Sequence, residues 1–570
     1  MTMARRVTIY GIFFLILVVF VIVCLFLFQM WFPDGFNIFN FGRANRNSFT
    51  RYYGSDIEAI LRHRNIMIDA KNTDIDIWVR KPGHGYGGPE LPSLPPQNST
   101  NTMTIREDAR NNRSWLEWTQ VFVDDELFFR IVVNEGSTAF NRRPLLEINL
   151  CELDFDVDDA DFRPYNFIFN LGAGSVRFLF AYDVLQTFAE EGIETTRFGR
   201  IEIGEGASGT YTIPSPRALG GGTSFTVEVN QVIVNNSDIV INAARVPVRE
   251  RLDINTQNGR FVFGNVGISG TGSSVEINNG QNVVLTTDDI FGFLDVNTTM
   301  GGVNAGIIMG DVRMSTFSGS LDANQIMGDL YFSTSFMGRA TVNQVRGRLD
   351  FISSAGGTLN ITRLYGVADV DVDNATITIG ALSTTGEGAH NNVTVRNNYG
   401  NTIVRFATVD QVLASAPFVY ILGRTGNITV NNIVGQAVIR LQPQIGSIGD
   451  GHIFANFRRV VSTAVAGGNL LENLGRGNIN VILNTTNNGL APFIPFWLRV
   501  ESSEQARDRT GWTVHGIAGN TNLGRVIPNF NAPHPSGGQM WPVHPLDQNP
   551  TDANRVLVVR TSNAVDMRLV

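Results

Sequence analysis

Residues 310–338 read GDVRMSTFSGSLDANQIMGDLYFSTSFMG, and residues 347–366 read GRLDFISSAGGTLNITRLYG. Across this region a glycine returns every nine or ten residues: Gly292, Gly301, Gly310, Gly319, Gly328, Gly338, Gly347, Gly357, Gly366. Two residues after most of them stands an apolar side chain, then a polar one, then another apolar one. Leu294-Asp295-Val296, Val312-Arg313-Met314, Leu321-Asp322-Ala323, Leu330-Tyr331-Phe332, Leu349-Asp350-Phe351 and Leu359-Asn360-Ile361 follow this rule. Alternation with period two marks a strand with one buried face, and glycine permits the corner between strands.

The segments are of two kinds. Those after Gly301, Gly319, Gly338 and Gly357 end in an apolar residue and one more: Ile308-Met309, Ile326-Met327, Val345-Arg346, Leu364-Tyr365. Those between them carry hydroxyls instead: Asn297-Thr298-Thr299, Ser315-Thr316, Ser333-Thr334-Ser335, Ser353-Ser354. The repeat is therefore a pair of segments, 18 or 19 residues long. A fixed period of this size predicts an all-β fold, a long β-solenoid resembling a parallel β-helix.

The pattern extends in both directions. Upstream, Ile66-Met67-Ile68-Asp69-Ala70 and Ile75-Asp76-Ile77-Trp78-Val79 alternate as strands around a turn at Asn72-Thr73-Asp74. A Gly/Pro-rich stretch from Pro82 to Pro96 and polar sequence to about Arg113 predict a long loop at a corner of an early coil. A short helix is expected over Tyr182 to Glu191. Downstream the strands persist less regularly, interrupted by a Pro-rich run from Pro528 to Pro550, and the chain finishes on Val556–Val559 and Asp566–Val570. Ending on a strand predicts a last coil that closes the stack. Some twenty coils, each rising about 4.8 Å, would form a rod on the order of 100 Å.

Before all this lies an unbroken apolar run from Ile12 to Phe28, preceded by Arg5 and Arg6 and followed by Gln29-Met30-Trp31-Phe32. The run is long enough to cross roughly 30 Å of hydrocarbon as a helix. It exceeds the core of a cleaved signal peptide, and no small-x-small site follows it. The expected organisation is a cytoplasmic N-terminus (1–6), a transmembrane signal anchor held by the lipid bilayer (7–31), a juxtamembrane spacer (32–60) and an extracytoplasmic β-solenoid with loop insertions (61–570). Residues 292–380 form its most regular part. The positive-inside rule sets this orientation.

The repeat units quoted above resemble the DUF4097 adhesin family, whose Gly-led, hydroxyl-rich β-repeats commonly follow a membrane segment. The early IMIDAKNTDIDIWV and the terminal VVRTSNAVDMRLV are similar to its opening and closing strands. The resemblance extends over roughly Ile66 to Val570. It implies surface exposure and adhesion, and brings no catalytic residues. The chain departs from the family in its length and its Pro-rich insertions.

Composition excludes several classes. Charged residues make up 17% of 570, the net charge is −8, and no basic stripe points to nucleic acid. The two cysteines, Cys24 and Cys151, form no Cys-x-x-Cys pair, and the seven histidines show no ligand spacing. No cofactor is expected. Gly204, Gly206 and Gly209 match a dinucleotide fingerprint, but Thr210-Tyr211-Thr212-Ile213-Pro214 follows where that motif needs a helix, so a turn is expected.

The densest carboxylate cluster, Asp154, Asp156, Asp158, Asp159 and Asp161, is the candidate for a metal site. It fails the EF-hand pattern at Asp159, where glycine is needed, and at Tyr165, where glutamate is needed. Asp369-Asp371-Asp373 reads as the wet face of a strand. Asn72-Thr73-Asp74, Gly83-His84-Gly85 and Asp288-Asp289 resemble fragments of polygalacturonase-like active sites, yet their separations do not place two carboxylates across one bond. No catalytic residues are expected. The function expected is a structural or adhesin-like envelope protein with a surface glycan or protein ligand. The alternatives are a self-associating, polymer-forming scaffold subunit and a β-helix carbohydrate-active enzyme. Ser/Thr/Asn faces of the coils and the loop around His534, Trp541 and His544 are the candidate recognition surfaces, although the Pro528–Pro550 loop reads first as a cap of the final coils, because solenoid ends need capping.

Overall fold

The computed structural model describes residues 48–53, 60–79, 101–108, 114–135, 143–150, 162–181, 184–185, 195–214, 217–218, 224–235, 237–268, 272–382, 392–406, 418–444, 449–460, 468–483, 496–502, 513–515, 541–543, 551–561 and 565–569. Within them the chain is all-β, and nearly every strand is paired in parallel. No helix among the described residues is long and apolar enough to cross a membrane. The 7–31 segment lies outside them.

In the middle of the chain the pairing follows the sequence period. Strand Gly292–Ile308 pairs in parallel with Val312–Ile326, Leu294 facing Val312 and Val303 facing Leu321. Beyond them each strand pairs with the next but one. On the first face Leu330–Thr334 pairs with Leu349–Ser353, which pairs with Ala368–Val372. On the second face Arg339–Val345 pairs with Thr358–Leu364, which pairs with Thr376–Leu382. A third, narrow edge is made by single bridges, Val248 to Val266 to Ile290 to Ile308. It continues through backbone bonds from Met327 N to Ile308 O, Arg346 N to Ile326 O and Tyr365 N to Val345 O. The apolar ending of every second segment therefore makes the third edge of each coil. This register fits a β-solenoid.

The inward set is the apolar set: Leu294, Val296, Val303, Ile308, Leu330, Phe332, Ala340, Val342 and their counterparts are buried in one continuous core. Burying one such aliphatic chain stabilises the fold by roughly 1.5–3 kcal/mol. The early coils are filled with rings instead. Phe167 stacks on Phe169 at 5.7 Å and meets Phe178 edge-on at 5.7 Å, and Tyr211 packs edge-on against Phe169 at 5.9 Å.

Several glycines are set by coil-to-coil contact more than by turn conformation. A Cβ on Gly310 would stand 2.6 Å from the Gly292 carbonyl oxygen, and one on Gly347 would stand 2.5 Å from that of Gly328. Among the nine recurring glycines only Gly301 and Gly357, with φ of +110° and +128°, also need left-handed backbone, which Met337 and Gly356, beside Gly338 and Gly357, adopt as well.

The two ends depart from chain order. Strand Asn65–Asn72 pairs with Tyr165–Phe180 across 101 residues on one side and with Glu126–Asn134 on the other. Strand Asp74–Val79 lies likewise between Leu145–Leu150 and the second half of Tyr165–Phe180. Outside these, Trp115–Val123 covers Glu126–Asn134 antiparallel, Thr102–Asp108 covers Leu145–Leu150, and Ser48–Tyr53 covers Thr102–Asp108. At the far end Val556–Thr561 lies between Asn469–Asn473 and Phe496–Ser502. Val565–Leu569 lies between Ile479–Leu483 and Thr513–His515.

Three expectations change. The spacer drawn as 32–60 contains a strand at Ser48–Tyr53, and the polar loop drawn to Arg113 contains one at Thr102–Asp108. Met103 and Ile105 alternate with polar neighbours and are buried, so this strand follows the same period-two rule at shorter length. The last strands of the chain do not form the outermost coil, because Phe496–Ser502 and Thr513–His515 stack beyond them. Of the helix expected over 182–191, the described part is one helical step at Val184 and Leu185.

Candidate functional site

The hydroxyl-rich segments sit at the corner between the two faces, and one hydroxyl side chain of each points inward. Thr298, Thr316, Thr334 and Ser353 succeed one another in register, and all are buried. Thr316 Oγ1 donates to Thr299 O at 3.3 Å, Thr334 Oγ1 to Phe317 O at 3.0 Å, and Ser353 Oγ to Gly356 O. Further along the same column Asn397 Nδ2 donates to Ala375 O at 2.8 Å, and its Oδ1 accepts from Gly400 N at 3.1 Å. Asn473 Nδ2 donates to Gly451 O at 2.9 Å and to Gly477 O at 3.0 Å. A sharp corner leaves backbone groups without ladder partners, and this column supplies them. The expected exposed hydroxyl faces are corrected at these positions: Thr298, Thr316, Thr334 and Ser353 point inward, and the last three bond the corner from inside.

Carboxylates and amides do the same work at other corners. Asp311 Oδ1 accepts from Asp329 N at 2.8 Å, and Asp329 Oδ1 from Arg348 N at 2.7 Å. Asn401 Oδ1 accepts from Asn427 N, Asn427 Oδ1 from His452 N, and His452 Nδ1 from Asn478 N at 3.0 Å. That last bond requires an unprotonated Nδ1, which makes His452 one member of a ladder of corner acceptors.

The enzyme-like fragments fall into this scheme. Asp289 Oδ1 accepts from Ile307 N at 2.7 Å. Thr73 Oγ1 donates to Glu135 at 2.7 Å, and Asp74 Oδ1 accepts from Ser175 N at 3.0 Å and Ser175 Oγ at 2.9 Å. Each clips a turn to a neighbouring coil. Gly83-His84-Gly85 lies outside the described residues. Gly204, Gly206 and Gly209 form a turn into strand Ser208–Thr212, with Gly209 against the Gly174 carbonyl. Asp369 and Asp371 are exposed between buried Ala368, Val370 and Val372.

Asp154, Asp156, Asp158, Asp159 and Asp161 lie outside the described residues. Among the described residues no group of three or more His, Cys, Asp or Glu is placed to hold a metal ion. Two charged clusters were not singled out from sequence. Asp76 is buried and takes a forked pair of 2.7 Å bonds from Arg177 Nε and Nη2, and that hydrogen bonding raises the Arg177 pKa. At the far end buried Glu472 accepts from Arg560 Nη1 at 2.5 Å and from Gln442 Nε2 at 2.5 Å. Parallel register brings these partners together across 101 and 88 residues, so no local pattern points to them. Burial also pushes up the pKa of Tyr211, whose hydroxyl has no partner among the described residues.

Of the Pro528–Pro550 loop, Trp541–Val543 is described. It pairs antiparallel with Phe496–Ser502, Trp541 facing Leu498 and Pro542 facing Trp497. Proline suits such an outermost strand, where a missing donor costs little. Here the residue singled out for recognition, Trp541, belongs to the cover of the terminal coil. His534 and His544 lie outside the described residues.

On the outer surface of the regular coils a groove of about 480 Å³ lies at the corner between the faces. Gln281, Asn297, Thr299, Ser315, Phe317 and Ser335 line it. Fold and surface define an all-β repeat protein of parallel-stacked coils. No family model matches the sequence, and no curated protein matches it.

Proposed function

We propose that the chain is a membrane-anchored, surface-displayed β-solenoid that serves as a structural or adhesin-like protein of the cell envelope. One observation carries this reading. The polar groups inside and along the corners bond to the backbone of neighbouring coils, so the stack is a rigid display scaffold. The apolar run Ile12–Phe28, with Arg5 and Arg6 before it and Trp31 after it, supports an anchor that leaves the solenoid outside. The resemblance to the DUF4097 adhesins points the same way.

A polymer-forming subunit would leave its terminal coils open to one another. The antiparallel strands Trp115–Val123, Thr102–Asp108 and Trp541–Val543 lie across those coils, which favours single rods over end-to-end filaments. An enzyme is disfavoured because Asp74 and Asp289 are each bonded to neighbouring coils.

Protease added to intact cells tests the reading. The solenoid should be digested while an epitope placed before Arg5 survives. Digestion of the epitope with an intact solenoid would reverse the topology and end the proposal.

A further inference from the structure

Gln281, Thr299, Phe317 and Phe336 occupy one column on the outside of the corner, on successive coils. Gly280 faces Thr298 and Asn282 faces Met300, which sets Gln281 opposite Thr299. Thr298 faces Thr316 and Met300 faces Ser318, which sets Thr299 opposite Phe317. Phe336 N then donates to Phe317 O at 2.7 Å. The two phenyl rings stack with centroids 5.7 Å apart at 22°. Phe317 is 51% exposed and Phe336 41%. The corner itself is closed from inside by Thr316 and Thr334, so these rings are not needed to hold it.

We propose that this column and the groove beside it bind a strand of neutral polysaccharide. A pyranose ring presents an apolar C–H face and a rim of hydroxyls. The stacked rings match the face. Gln281, Asn297, Thr299, Ser315 and Ser335 match the rim with amides and hydroxyls that both donate and accept. None of the groove's lining residues is ionisable, so a charged polymer would find no counter-charge there. An apolar protein segment would strip water from those hydroxyls and amides without replacing its bonds. The groove crosses several coils and is open, which suits an extended chain better than a small molecule that needs enclosure. The coils hold the ring spacing before any ligand arrives, so little ordering cost falls on binding. The inference deepens the adhesin-like reading and rests on it only for where the glycan is met.

Affinity electrophoresis of the full purified chain tests it, in native gels containing dextran, galactomannan, xyloglucan or hydroxyethylcellulose, with alginate as the anionic comparison. At least one neutral polysaccharide should retard the protein. The double variant Phe317→Ser/Phe336→Ser should weaken that retardation at least tenfold. Thr299→Arg, which fills the groove and leaves both rings, should do the same. Phe454→Ser, at an exposed phenylalanine on the second face, should leave it unchanged. Retardation by no neutral gel, by alginate alone, or equally in wild type and both groove variants would overturn the proposal. The measurement does not depend on topology, so its failure and that of surface display are separate.

Discussion

The coils between Gly292 and Leu382 and the coils at the two ends are built from the same strands but joined differently. In the middle, neighbouring strands are separated by 18 or 19 residues of chain, and their corner bonds repeat with that spacing. At the ends, neighbours are separated by 101 and 88 residues. There Asn65–Asn72 and Asp74–Val79 at one end, and Val556–Thr561 and Val565–Leu569 at the other, are inserted inside the stack and covered by strands from elsewhere in the chain. A coil of the middle could open with only its two neighbours disturbed. Opening an end means withdrawing a strand held on both sides. The difference teaches that a repeat array solves burial locally and solves its exposed edges by long-range exchange of chain order.

The largest contrast is between two deletions. Removing residues 551–570 takes out Val556–Thr561 and Val565–Leu569, leaving Phe496–Ser502 without its inner neighbour. Loss of the buried Val556, Leu557, Val558 and Val559 should cost roughly 5 kcal/mol or more, visible as a lower denaturation midpoint and aggregation in light scattering. Removing one whole coil, residues 312–329, rejoins Asp311 to Leu330 in register and should leave a folded, cooperative protein. Equal damage from both would erase the distinction between middle and ends.

Asn397→Leu sharpens the account of the corner column that runs on from the middle. Ala375 O and Gly400 N lose their partner inside a buried corner, at a cost of about 2–4 kcal/mol by urea denaturation, given about 1–3 kcal/mol per orphaned group. Arg177→Leu probes an end instead. It leaves Asp76 buried without its forked partner and should cost roughly 1.5–3 kcal/mol, while Arg177→Lys restores only part of it. Gly347→Ala forces a Cβ against the Gly328 carbonyl and should cost about 1–2 kcal/mol. His452→Ala should be the mildest, below about 1 kcal/mol, because the Asn478 N–H at that exposed corner can turn to water.

The middle was legible because period two and period 18–19 are both properties of neighbouring residues. Even the third edge was visible, as Ile308, Ile326, Val345 and Leu364 closing alternate segments. The direction in which a hydroxyl points was not. Thr316 and Thr334 look like a polar surface in sequence, and only the corner's demand for backbone partners turns them inward. Strands Ser48–Tyr53 and Thr102–Asp108 were missed because each pairs antiparallel outside the repeat, beside polar and Pro-rich sequence. The binding groove was half visible: Phe317 and Phe336 stand in the quoted repeats, but they become a stacked pair only through register.

The inserted terminal strands are the central claim, and a cysteine pair tests it directly in a background lacking Cys24 and Cys151. The structure places Arg568 opposite Ile482 and His515 one level further out, opposite Arg568. Neighbouring strands lie about 4.8 Å apart, whereas two levels exceed the roughly 7 Å that a disulfide can span. Ile482→Cys with Arg568→Cys should therefore crosslink on oxidation, and Ile482→Cys with His515→Cys should not. A crosslink in the second pair and none in the first would mean that the coils stack in chain order, contradicting the account.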